Sequence, residues 1–79
     1  MDEQMQIKRA IRAEMIRHGM TYRDLCERYN QMFDEDNDER TMRNKVARGT
    51  FNAVFFLRVM KVLGVGLIDV ADLKTYGPA

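Results

Sequence analysis

Apolar residues recur at helical spacing from the start of the chain. From about Met5 to His18, Ile7, Ile11 and Met15 stack on one face, with Ala10, Glu14 and His18 beside them and Arg9, Arg12 and Arg17 outside. Gly19 follows as a left-handed stop, because a residue without Cβ enters that conformation freely. Thr21 opens a second helix, with Asp24 three residues on as an acidic variant of the capping box. Tyr22, Leu25, Cys26, Tyr29, Met32 and Phe33 fall within about 120° of one another on its wheel, the cleanest amphipathic pattern in the chain. Residues 34–38 break the pattern with acids and no glycine, and the cluster supplies N-cap candidates for the helix that follows.

A third helix, about Glu39 to Arg48, has only Met42 and Val46 as apolar anchors, and Gly49 stops it. Arg40, Thr41, Asn44, Lys45 and Arg48 fan over the side opposite those anchors. So thin an apolar stripe cannot hold a short helix down by burial, so its neighbours must carry it and its outer face is free for a partner. Thr50 can cap a fourth helix, Phe51 to Leu63, stopped by Gly64, in which only Asn52, Arg58 and Lys61 are polar. Its apolar arc exceeds about 200°, more than one core face requires, so it is either the central buried helix or one that also buries a side against a partner, and both can hold at once; Phe51, Phe55 and Val62 are the candidate dimer or partner face. Val65 to Leu73 admits a further helical turn or two, or a short strand from its β-branched content. Residues 74–79, with Gly77-Pro78, read as a frayed tail. The expected fold is all-α: a compact bundle of four to five helices in a single domain, 1–79, with its core at about 5–73.

Composition narrows the chemistry. At 79 residues and 46% hydrophobic the chain is one globular domain. One Cys and one His exclude a disulfide framework and the usual zinc spacings. Asp34-x-Asp36-x-Asp38 imitates a calcium loop, but Glu39 stands where the glycine belongs and Lys45 where the final glutamate belongs. No phosphate-binding glycine loop is present, the chain has no serine, and Glu14 with His18 reads as a helix-end ion pair. Cys26 sits on a core face as a small buried residue. The expectation is therefore no enzyme, no metal, no cofactor and no small-molecule substrate. No apolar run reaches the ~18 residues of a membrane span and no signal peptide is evident, so the cytoplasm is the expected compartment.

Charge changes the picture more by its distribution than by its total. Net charge is only +1, yet five of the twelve acids lie within residues 34–39. From Arg40 to Ile68 there is no acid, against six bases: Arg40, Arg43, Lys45, Arg48, Arg58 and Lys61. A basic half beside an acidic patch fits a nucleic-acid partner better than the total does.

The order of elements resembles the lambda-repressor-like helix-turn-helix domain over roughly Ile7 to Leu73. The residues that carry the likeness are the capped helix Thr21-Tyr-Arg-Asp-Leu-Cys-Glu-Arg-Tyr29, the polar helix ending Arg48-Gly49, and the apolar helix ending Leu63-Gly-Val65. The resemblance implies that Cys26 is the small residue letting two helices cross closely, and that Arg40–Arg48 is the recognition helix of a transcriptional regulator. On that footing Arg40, Thr41 and Asn44 would contact base edges, and Arg43, Lys45 and Arg48 the phosphates of double-stranded DNA, a second copy of the chain being a further expected partner. The break before the helix is longer than that family's turn and acidic, and Met42 takes the anchor position beside Arg43. More specifically, Met42-Arg-Asn-Lys-x-x-Arg-Gly-Thr-Phe51, followed by Phe55-Phe56-Leu57, together with Ala13-Glu-Met15 and Gly19-x-Thr-Tyr22, resembles a small bacterial domain family of unassigned function. That likeness brings no activity with it. The competing reading is a protein-interaction module that uses the apolar fourth helix and the basic helix face.

Overall fold

Every helix among the described residues begins on a side-chain cap. In the computed structural model, which describes residues 2–69 and 74–76, Asp2, Thr21, Asp38 and Asn52 accept from Met5, Asp24, Thr41 and Phe55 N–H and open α1 (Glu3–Arg17), α2 (Tyr22–Phe33), α3 (Glu39–Arg48) and α4 (Ala53–Val62). The box at Thr21 is reciprocal, with Thr21 N–H donating to Asp24 Oδ2 at 3.0 Å. Gly19, Gly49 and Gly64 all take positive φ, as expected of stops. Two boundaries differ from the pattern. α1 starts two residues early because Asp2 caps it, and α4 starts two residues late because Asn52 rather than Thr50 is its cap.

α2 packs against both α3 and α4, and α1 packs against α3. The core joins Ile11 and Met15 of α1, Leu25, Cys26 and Tyr29 of α2, Met42 and Val46 of α3, and Phe55, Val59, Met60 and Val62 of α4, with Met20 and Leu63 from the connections. The helical reading holds for this body of four helices. Of the two readings of Val65 to Leu73, the described part takes the strand: Leu67–Asp69 is β1, paired antiparallel with β2 (Lys74–Tyr76) in the register Leu67↔Tyr76, Ile68↔Thr75, Asp69↔Lys74. The first half of the supposed tail is thus a strand partner; 70–73 and 77–79 lie outside the described residues. Met32, placed on the core face by its spacing, is 54% exposed.

The acidic break is an ordered clasp. Asp34, at φ 54°, supplies the left-handed turn a glycine would otherwise make. Asn30 Nδ2 donates to the Asn37 carbonyl at 2.8 Å, and both the backbone N–H and the side-chain amide of Asn37 donate back to Asn30 Oδ1 at 2.9 Å. The Cys26 thiol donates to the same Asn37 carbonyl at 3.1 Å. A small residue at this core position therefore also hydrogen-bonds the loop, and burial pushes its thiol pKa up.

The apolar surplus of α4 is largely spent inside the chain. Tyr29 stands 5.6 Å from Phe55 between ring centroids and 5.1 Å from Phe33, while Phe51 meets Phe55 at 5.0 Å and stacks on Phe56 at 6.1 Å. Phe55 and Val62 are buried and Phe51 is half-buried, so they do not form a free partner face; Val54 and Leu57, 58% and 54% exposed, are the apolar residues α4 leaves in water. No helix among the described residues is long and apolar enough to cross a membrane.

Candidate nucleic-acid interface

α3 is held at both ends and by two anchors. Asp38 Oδ1 accepts from Thr41 N–H at 2.7 Å, and this backbone hydrogen bond holds the Asp38 carboxyl below its ordinary value. At the other end Gly49 N–H donates to the Lys45 carbonyl, and Gly49 lies against the Gln4 backbone of α1. Met42 and Val46 are almost wholly buried, each worth about 1.5–3 kcal/mol relative to exposure. With that side turned inward, Arg40, Thr41, Asn44, Lys45 and Arg48 are all exposed.

Four of these residues come together. Thr41, Asn44, Lys45 and Arg48, with Thr50, line an open depression of about 370 Å³. Lys45 Nζ lies 4.9 Å from the centre of the Phe55 ring, a cation–π contact that steadies an otherwise flexible side chain. Arg40 is one turn before Asn44 on the same side. Arg43 is not brought in. It points to the other flank, 3.0 Å from Glu39 and 5.5 Å over the Tyr22 ring, in a cleft shared with Arg12.

The acids of the break are largely bound into the fold. Glu35 pairs with Arg58 at 3.0 Å, Glu39 pairs with Arg43, and Asp38 caps α3. Among the described residues none of Arg40, Lys45 and Arg48 forms an ion pair with a carboxylate. On α1, Glu14 is buried but paired, 3.0 Å from Arg17 and 3.5 Å from His18, as the i,i+4 spacing implied.

One basic group escaped the pattern reading. Lys8, Arg9 and Arg12 of α1 flank the end of α3, lining with Ala47 and Arg48 a cleft of about 380 Å³. Their spacing on one side of α1 was visible; their approach to Arg48 depends on how α1 and α3 pack.

A family model described as a domain of unknown function, DUF6471, matches residues 4–68, a span that includes the Met42–Phe51 stretch. No curated protein and no solved structure matches the chain.

Proposed function

We propose that the chain, which belongs to the DUF6471 family, binds double-stranded DNA in a sequence-specific way as a small helix-turn-helix regulator of transcription, with α3 as recognition helix. The observation that carries this reading is the outward side of α3: Thr41, Asn44, Lys45 and Arg48 line one exposed depression, Arg40 is exposed one turn before Asn44, and none of the three bases forms an ion pair with a carboxylate among the described residues. A helix with its side chains is about 10–12 Å across and the major groove about 12 Å wide. Arg40 and Asn44 can each make paired hydrogen bonds to a base edge, to guanine and adenine respectively, and Thr41 can reach either kind of pair. Lys45 and Arg48 supply phosphate contacts, which position the helix without reading sequence. Arg43, tied to Glu39, stays out of this interface.

The test is selection from random duplexes followed by titration at two salt concentrations. Asn44→Ala relaxes base preference at one position, whereas Lys45→Ala weakens all sequences alike and lowers the log–log salt slope by about 1. Absence of binding at ~50 mM salt refutes the proposal.

A second reading, a protein-interaction module, is favoured by one observation: Val54 and Leu57 sit exposed on α4. Sedimentation of the chain with and without Val54→Ser and Leu57→Ser tests self-association through that side. Such a dimer is compatible with DNA binding, since two-fold regulators use separate surfaces for each.

A further inference from the structure

We propose that the cleft where α1 meets the starts of α2 and α3 is a binding site for a small organic anion with an apolar or aromatic body. Its volume is about 560 Å³, within the range of small-molecule sites. Met15, Ile16, Met20 and Tyr22 contribute apolar walls, and three guanidinium groups, Arg12, Arg23 and Arg43, stand around them; Arg43 pairs with Glu39 in the lining and Arg23 with Glu27 on α2.

The two halves of this lining select for the two halves of a ligand. Met15 and Met20 are core residues that reach the cleft from beneath, and Ile16 is 77% exposed, an aliphatic side chain left in water at its wall. An apolar body laid here removes Ile16 from solvent, and the thioethers adapt to its outline. The rim then discriminates by charge. Arg12 has no carboxylate partner among the described residues, while Arg43, 3.0 Å from Glu39, lies over the Tyr22 ring and is held in place by both. A guanidinium is a planar fork of donors that matches a carboxylate or sulfonate with two hydrogen bonds. A cationic ligand meets the like charge of Arg12, which no ion pair offsets among the described residues, and a fully polar anion leaves the methionine and isoleucine surface wet. The site lies on the flank of α3 away from Asn44 and Lys45, so its occupancy does not depend on the DNA reading.

Calorimetric titration of the full chain with 2-naphthoate, and with the uncharged 2-naphthalenemethanol beside it, tests the assignment. Naphthoate is expected to bind at one site with saturation, and more tightly than the alcohol. R12A combined with R43A weakens naphthoate at least tenfold and leaves the alcohol unchanged. Ile16→Glu, a substitution at an exposed position that keeps both arginines, also weakens naphthoate by placing a carboxylate in the wall. Lys61→Ala, on α4 and outside the cleft lining, leaves binding as it was. A far-UV circular dichroism melt of each variant confirms folding before titration. The proposal is overturned by absence of saturable naphthoate binding, by undiminished affinity in the folded double arginine variant, or by loss of binding in the α4 variant.

Discussion

Replacing Gly49 with alanine tests how α3 is tied to α1. Gly49 ends α3 at φ 65°, and a Cβ built there would stand 2.8 Å from the Gln4 carbonyl oxygen and 3.4 Å from its carbon. Close carbon–oxygen contacts lie at about 3.3–3.6 Å, so the first turn of α1 has to move away. Gly19 and Gly64 provide the control. Their φ values, 61° and 74°, are equally left-handed, but a Cβ at either meets nothing within 4 Å. All three substitutions share the left-handed penalty of about 1–2 kcal/mol. A stiffer unfolded chain offsets about 0.4–1 kcal/mol of it, so Gly19→Ala and Gly64→Ala cost about 1 kcal/mol each. Gly49→Ala adds the crowding cost, about 1–3 kcal/mol for an overpacked site, and comes to roughly 2–4 kcal/mol. Domains of this size have about 0.05–0.15 kcal/mol of stability per residue, so that loss is a large share of the total. Urea unfolding followed by circular dichroism measures it, with the Tm falling by about 4–8 °C for each kcal/mol. If Gly49→Ala lies within about 0.5 kcal/mol of the other two, the close approach to Gln4 is not a constraint on the fold and the argument fails.

Three further outcomes follow from the loop and the caps. Asn30→Ala removes the side chain that accepts from and donates to Asn37, leaving half-buried polar groups of the loop without partners; a loss of about 1–3 kcal/mol by denaturant titration is expected, and a loss near zero would show that the clasp contributes nothing. Cys26 is buried with its thiol pKa raised by desolvation, so a thiol-specific chromogenic disulfide should react slowly with the native chain and quickly once it is unfolded; fast native labelling contradicts this. The Asp38 and Asp24 carboxyls are held below their ordinary values by the backbone N–H groups of Thr41 and Thr21. A lowered folded pKa contributes stability above the unfolded value of about 3.9 that is lost as pH falls through the folded one, so the Tm should drop in acid and Asp38→Ala should flatten that drop; an unchanged acid profile in Asp38→Ala sinks the assignment.

The parts of the fold legible in the chain are those whose cause is local. Thr21 with Asp24, Asp38 before α3, and the three left-handed glycines act within one turn, and the elements they bound appear where the pattern places them. Asn52 and Thr50 are both competent caps two residues apart; Asn52 is the one used, with Phe51 before it packed back onto Phe55 and Phe56. Periodicity gives a direction and not a neighbour: Met32 points along the core face of α2 but is left exposed. For the same reason an apolar arc on α4 does not reveal that Tyr29 covers Phe55 while Val54 and Leu57 stay bare. The candidate interface splits along this line. The shared side of Thr41, Asn44, Lys45 and Arg48 follows from helix geometry, and so does the Glu39–Arg43 pair at i,i+4 that removes Arg43 from it. The placement of Lys8 and Arg12 beside Arg48 belongs to the packing of α1 on α3, which nothing local specifies.

Packing also bears on how a chain of net charge +1 exposes the basic side of α3. A nearly neutral chain can present a basic side only if its acids are turned to internal work. Glu35 binds Arg58 across the sequence, Glu39 binds Arg43, Asp38 gives its oxygen to Thr41 N–H, and buried Glu14 is held by Arg17 and His18. Each such pair lowers the field that a carboxylate would otherwise add near α3, and at about 0.15 M salt charges more than about 8 Å away are largely screened. Three of the five carboxylates of the break, those of Glu35, Asp38 and Glu39, are thus engaged within the fold. Asp38 caps α3, while the clasp before it is made by Asn30, Asn37 and the Cys26 thiol, and Met42 and Val46 turn the opposite side of the helix outward.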